Sequence, residues 1–190
     1  MTEKANDKIA AIFEATLALI SEQGLHATPM SQIAARAKIG MGTIYHYFPS
    51  KEELINALFL EYKVRLLRFI TANYAPGAPV RESFKTLLRN MLAYYAENPA
   101  ELNFLEQCEN SPIITEDTKR EGMRSAGVLS ELFCRAKSEN LIKDISFDIL
   151  GALLSGAIIA LAKLCLSGAV GLDSPELDLS LEAMWDMLKR

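Results

Sequence analysis

Residues 28–51 read Thr28-Pro29-Met30-Ser31-Gln32-Ile33-Ala34-Ala35-Arg36-Ala37-Lys38-Ile39-Gly40-Met41-Gly42-Thr43-Ile44-Tyr45-His46-Tyr47-Phe48-Pro49-Ser50-Lys51. Thr28-Pro29 has the form of an N-cap followed by proline at the first helical position, where a missing N–H is harmless. A short helix through Ala37 follows, with Met30, Ile33, Ala34 and Ala37 turned inward. Gly40 and Gly42 mark a tight turn into a second short helix, about Met41 to Tyr47, which Pro49 ends. Ser50-Lys51-Glu52-Glu53 is a capping box that opens a long helix to about Asn73. Upstream, Ile9, Ile12, Phe13, Leu17 and Ile20 recur at helical spacing over about residues 5–23, and Gly24 supplies the stop.

Two short helices joined by a glycine-containing turn and resting on a longer first helix make a helix-turn-helix. In that geometry the second short helix enters the major groove of DNA. Its faces divide cleanly: Ile44 and Phe48, four apart, point inward with Ile12, Phe13 and Ile33, which leaves Thr43, Tyr45, His46 and Tyr47 on other faces. The 29 residues from Gln23 to Lys51 contain no Asp or Glu but hold Arg36, Lys38, Lys51, His26 and His46. Phosphate contacts dominate nucleic-acid affinity, so an acid-free window outweighs the overall net charge of −4. Taken singly, a tyrosine-rich helix is a packing surface, Lys51 is a solvated first-turn lysine, and His26, placed after a helix stop, is surface. Their joint arrangement is what points to DNA.

The chain has 190 residues, half of them apolar and 23% charged, enough for a core without disulfides or metals. Cys108, Cys134 and Cys165 lie far apart, show no metal-ligand spacing and suit a reducing cytosol. Met1-Thr2-Glu3-Lys4 carries charges of both signs with no apolar block behind it, so no secretory signal is expected. After a loop at Pro76-Gly77-Ala78-Pro79, helices are expected at about 80–97, 99–109, 115–139, 146–167 and 175–189. Asn98-Pro99, Ser111-Pro112 and Ser174-Pro175 are the punctuation. The expected architecture is all-α, about nine helices in total, with no alternating strand pattern. Ile149 to Ala162 runs 14 residues without a charge. That is short of a bilayer span, and Lys163 would lie inside one, so a buried or subunit-facing helix is expected rather than a transmembrane one.

The run Thr28-Pro29-Met30-Ser31-Gln32-Ile33-Ala34, then Ala37, Ile39 through Phe48 and Ser50-Lys51, resembles the signature of the TetR-type (TetR/AcrR) repressor family over about residues 9–60. The resemblance implies an N-terminal three-helix DNA-binding domain over 1–50 and a helical ligand-binding and dimerisation domain over 51–190, joined by the long helix at about 51–73. It also implies roles residue by residue. Thr28 would set a hydroxyl and a helix N-terminus at a phosphate, while Thr43, Tyr47 and Lys51 would hold phosphates along the groove edge. Tyr45, Met41 and Gly42 would face bases, the first two suited to thymine methyl groups. His46 would touch phosphate or simply sit exposed, and Lys38 completes the expected contacts. The family usually has a small polar residue where this chain has Gly40, so the recognition helix is expected to lack a side-chain cap.

From Glu52 onward the chain holds 15 Lys and Arg against 20 Asp and Glu, and this part should repel DNA. The helix from about Ile145 to Ser167 is studded with Gly151, Ala152, Ser155, Gly156, Ala157 and Ala160, small residues that permit close helix approach. With Leu177, Leu181, Met184, Trp185 and Leu188 of the last helix it resembles the family's four-helix dimer interface, built here on Gly151, Ser155 and Ala160. The plain alternative is an intramolecular core helix. Tyr62, Phe69, Phe84, Met91, Tyr95, Phe104, Cys108, Met123 and Phe133 on the middle helices are ordinary core by type. The family's hydrophobic cavity for a small molecule would lie among them, and Tyr62, Tyr95, Phe104 and Phe133 are the expected wall.

The expected partners are double-stranded DNA carrying a palindromic operator, a second copy of the chain and a small-molecule inducer. No membrane partner, cofactor or metal is expected, and the setting is cytoplasmic. The two histidines lie in the helix-turn-helix and no nucleophile–base pair or phosphate loop is visible, which argues against an enzyme. A helix-turn-helix protein acting as a structural or partner-binding module without DNA contact is the main rival.

Overall fold

The computed structural model describes residues 3–109, 111–124 and 126–190, the side chains of residues 3, 4 and 123 excepted. The expectations for Met1, Thr2 and the Met123 side chain lie outside what is described. Among the described residues ten helices follow in order: α1 Glu3–Gln23, α2 Met30–Arg36, α3 Met41–Tyr47, α4 Lys51–Thr71, α5 Val80–Glu97, α6 Pro99–Glu109, α7 Glu116–Arg124, α8 Gly127–Ser138, α9 Phe147–Leu166 and α10 Pro175–Leu188. Among the described residues the only β-pairing is an isolated antiparallel bridge between Ile142 and Lys189. The fold is all-α with an N-terminal helix-turn-helix.

The tenth helix arises because the single helix expected over 115–139 is two. Ala126, with φ −87° and ψ 22°, stands before α8 in a conformation that does not continue a helix. Gly127, the first residue of α8, is a poor helix former, and this pair gives the chain a place to break.

Two compact units are formed, one by residues 1–63 with 100–122 and one by 64–99 with 123–190. In the first, α1 packs on α2 and α2 on α3. Its helix-turn-helix core is Ile12, Ala15, Leu19, Met30, Ile33, Ala34, Ile44, Phe48 and Leu54, with Phe13, Ala37 and Tyr47 packed against it. In the second, α5 packs on α8, α9 and α10, around Val80, Leu87, Leu132, Leu150, Trp185 and Leu188.

α9 and α10 start as the sequence predicts. The Ser146 and Ser174 hydroxyls accept from the N–H groups of Ile149 and Leu177, three residues on. α10 carries the apolar stripe expected at a subunit interface. Leu177, Leu181, Met184, Trp185 and Leu188 are all buried inside the chain itself, so this stripe covers the chain's own core. Apolar periodicity reports that a helix face needs cover but not whose side chains provide it. α9 is the opposite case: Leu150, Ile158 and Ala162 are buried, whereas Gly151 and Ala160 are exposed and Ser155 is half-buried. Ile149 is 55% exposed and Leu153 44%. By length and composition alone α9 could also cross a membrane, with 17% of its apolar window buried.

Candidate nucleic-acid interface

The interface is built on how α2 and α3 are joined. α2 ends in a paired-bond stop: the Lys38 N–H donates to the Ala35 carbonyl at 3.1 Å and the Ile39 N–H to the Ala34 carbonyl at 3.0 Å. This geometry needs a left-handed residue one past the cap, and that residue is Lys38, with φ +56°. The expected glycine turn is therefore corrected. Gly40 is extended, with φ −72° and ψ 149°, and serves as the N-cap of α3 with no side-chain bond, as its missing side chain predicts.

α3 is a single helical stretch of 7 residues held by one deep anchor, Ile44, which is fully buried. Phe48, at the cap, adds a ring contact to Phe13 with centroids 5.7 Å apart. With that face pinned, Met41 and Tyr45 stand 40% and 47% exposed, flanked by exposed Gly42 and His46. Thr43 and Tyr47 are half-buried, and the His46 and Tyr47 rings meet edge to face at 5.4 Å. A polar, aromatic, acid-free surface of this kind on a helix seated through Ile44 suits the apolar and hydrogen-bonding edges of base pairs.

Two expected phosphate contacts are otherwise engaged. Thr28 is fully buried and does not cap α2; Pro29 holds the N-cap position. Its hydroxyl instead donates to the Gly24 carbonyl at 2.9 Å. Lys51 Nζ donates to the carbonyls of Leu25 at 2.6 Å and His26 at 3.3 Å, and burial pushes its ammonium below the usual lysine value. Both side chains fasten the α1–α2 loop. Arg36 is taken up by a two-pronged ion pair with Glu22, at 2.9 and 2.7 Å, which holds that carboxyl below its ordinary range. Lys38 is exposed.

Sequence reasoning missed three further ties of the same loop and its floor. Gln23 Nε2 donates to the Ala27 carbonyl at 2.8 Å and to Gln32 Oε1 at 2.7 Å. The Leu25 N–H donates to Gln107 Oε1 at 3.3 Å, and Asn56 bonds the backbone of residues 113 and 115. A buried position for Asn56 on a helix beside Leu54 and Ile55 was the one signal available.

The four residues expected to wall a ligand cavity are each packed against another ring. Tyr62 and Phe104 belong to the first unit and meet edge to face at 5.7 Å. Tyr95 and Phe133 belong to the second, where Tyr95 packs on Tyr94 and Phe133 on Phe147. A cavity of about 170 Å³ in the second unit is lined instead by Val64, Leu67, Arg68, Thr71, Ala126 and its neighbours Val128 and Leu129.

Residues 12–58 match the family model for bacterial regulatory proteins of the tetR family, and residues 79–189 match a tetracyclin repressor-like C-terminal domain. An HTH-type transcriptional regulator of Haemophilus influenzae is 28% identical over 163 residues, 85% of each chain. The transcriptional repressor KstR of Mycolicibacterium smegmatis is 37% identical over 79 residues, 41% of this chain and 39% of that one. The crystal structure of a TetR-family regulator from Haemophilus influenzae Rd superposes with a TM-score of 0.83 at 26% identity, covering 100% of both chains. Matches over both halves of the chain, on top of a helix-turn-helix whose second helix bares its polar face, make this protein a DNA-binding transcriptional regulator of the TetR family.

Proposed function

We propose that this regulator is a cytoplasmic homodimer that represses transcription from a palindromic operator and is released by a small molecule. The observation that carries the DNA-facing part is α3, on which Met41, Tyr45 and His46 stand exposed above buried Ile44. In this reading residues 1–50 form the DNA-binding domain and 51–190 the regulatory one. Met41, Gly42 and Tyr45 face bases, while Lys38, Thr43 and Tyr47 hold phosphates. Lys51 and Thr28 join them only by giving up the carbonyls they now hold.

Dimerisation is supported by the open face of α9, where Ile149 and Leu153 surround exposed Gly151, Ala152 and Gly156. An apolar face of this length calls for cover, and a second α9 supplies it with close backbone approach across the small residues. Two copies must then set their α3 helices roughly 34 to 36 Å apart to reach successive major grooves. Spacing is the switch: a ligand that prefers a different spacing lowers DNA affinity by its differential affinity for the two states, about 5- to 150-fold for an ordinary coupling.

The test is selection of bound duplexes from a random pool, followed by titration at several salt concentrations. A palindromic consensus bound by two chains is expected. Tyr45→Ala should relax sequence preference with folding intact, and Lys38→Ala should weaken all duplexes alike and reduce the salt slope by about 1. A monomer with no salt-sensitive preference for any duplex would overturn the proposal.

A further inference from the structure

Residues 100–122 belong to the same compact unit as the helix-turn-helix, and besides the Tyr62–Phe104 ring contact they are joined to it by hydrogen bonds of Asn56 and Gln107. Asn56, on the second turn of α4, is 9% exposed. Its Nδ2 donates to the carbonyls of Ile113 and Glu52, both at 2.7 Å, and its Oδ1 accepts from the Thr115 N–H at 3.0 Å. Both amide hydrogens and the carbonyl are thereby used. Thr115 is the residue that opens α7: its hydroxyl accepts from the Thr118 N–H at 3.2 Å and its carbonyl from the Lys119 N–H at 3.0 Å. Asn56 thus fixes the N-cap residue of α7 against α4.

The same two turns of α4 carry the floor of the recognition helix. Leu54 is fully buried in one cluster with Ile44 and Phe48, and Lys51 grips the carbonyls that lead out of α1. A second tie arrives from α6, where Gln107 accepts from the N–H of Leu25, the residue whose carbonyl Lys51 holds. We infer that Asn56 is a positioning residue for DNA binding, which makes the α6–α7 segment part of the DNA-reading body, so that displacing the start of α7 displaces α3. The inference rests on the ligand control proposed above only for what does the displacing.

A buried amide clamp responds in steps. If residues 113–115 shift, the Ile113 carbonyl, the Thr115 N–H and the Asn56 amide all lose their partners together, so the segment is either docked or released. A leucine of similar volume at this position fills the space and makes none of the bonds.

The experiment compares full-length Asn56→Leu, Asn56→Asp and Thr115→Ala with the unaltered protein by amide hydrogen exchange without DNA and by affinity for the duplex selected above. Asn56→Leu is expected to speed exchange at residues 113–118, and also at 25–28 and 41–47, and to lower affinity roughly 5- to 150-fold. Thr115→Ala removes only the α7 cap. Its exchange change should stay within 116–119 and its affinity within about twofold of the unaltered protein. Asn56→Asp keeps the acceptor for Thr115 but sets a carboxylate oxygen against the Ile113 and Glu52 carbonyls, so its losses should at least match those of Asn56→Leu, and it carries the same comparison if Asn56→Leu does not fold. Exchange changes confined to 113–119 with undiminished affinity would overturn the inference, as would an equal affinity loss in Thr115→Ala. Failure of the unaltered protein to select any duplex would undo the operator reading instead, and the exchange pattern would still decide the role of Asn56.

Discussion

Lys38 spends its life in a backbone conformation suited to glycine, with φ +56° between the two DNA-binding helices. A side chain there meets its own carbonyl, at about 1–2 kcal/mol per residue, partly offset by the extra freedom glycine would lose on folding. Lys38→Gly is therefore expected to stabilise the protein by roughly 0.5 kcal/mol while weakening DNA binding, and urea melting beside duplex titration checks both signs. That a cation is kept at a strained turn fits a role outside the fold. The cysteines offer a second residue-scale outcome. Cys108 is fully buried, and desolvation pushes its thiol up to about 12; Cys165 is partly buried and raised for the same reason; Cys134 is exposed. Since the thiolate is the nucleophile, a thiol reagent at neutral pH should label Cys134 first, Cys165 slowly and Cys108 only on unfolding. Mass spectrometry of timed samples gives the order.

At the scale of elements, Ile44 is the buried residue of α3. Ile44→Ala should cost about 2–5 kcal/mol, as buried isoleucine truncations do, and should loosen α3 before the rest, which amide exchange at 41–47 reports against global melting. Ser174→Ala removes the cap of α10 and should cost about 0.5–2 kcal/mol by urea midpoint. These two elements also mark what the sequence made legible. Caps, prolines and spacing located α3, α4, α9 and α10 because each signal acts within one turn of chain. The Thr28-Pro29 pair misled because one hydroxyl had two carbonyl or amide partners in reach, and the fold gave it the Gly24 carbonyl. The α7–α8 break at Ala126 and Gly127 was hidden by apolar spacing that a single helix would also satisfy. For the site, the exposed face of α3 was readable from Ile44 and Phe48 alone. The ties from Gln107 and Asn56 were not, since their partners lie 82 and 57 residues away.

Across the whole chain, charge is divided between binding and cohesion. Acid is missing from residues 23–51, which hold α2 and α3, while the second unit uses it: Glu182 pairs with Lys85 and Arg81, and Asp178 with Arg89, linking α10 to α5. Lys85 and Arg81 hold the Glu182 carboxyl below its ordinary range, and Lys137 does the same for Asp144. A carboxyl depressed by folding adds stability above its unfolded value and loses it as pH falls through the folded one, so the loss should begin near pH 4 and deepen below it. Glu182→Gln should flatten that acid limb in urea midpoints measured from pH 3 to 7, with these solvent-facing pairs contributing modestly. The open side of α9 has its effect earlier, during synthesis. Each newly made chain carries a long greasy stripe with Ile149, Leu153 and Leu164 bare to water, and while it stays bare, collision with any similar stripe is a hazard. Yield of usable regulator in a cell should therefore fall as its rate of manufacture rises, and be rescued by cooler growth or added chaperone.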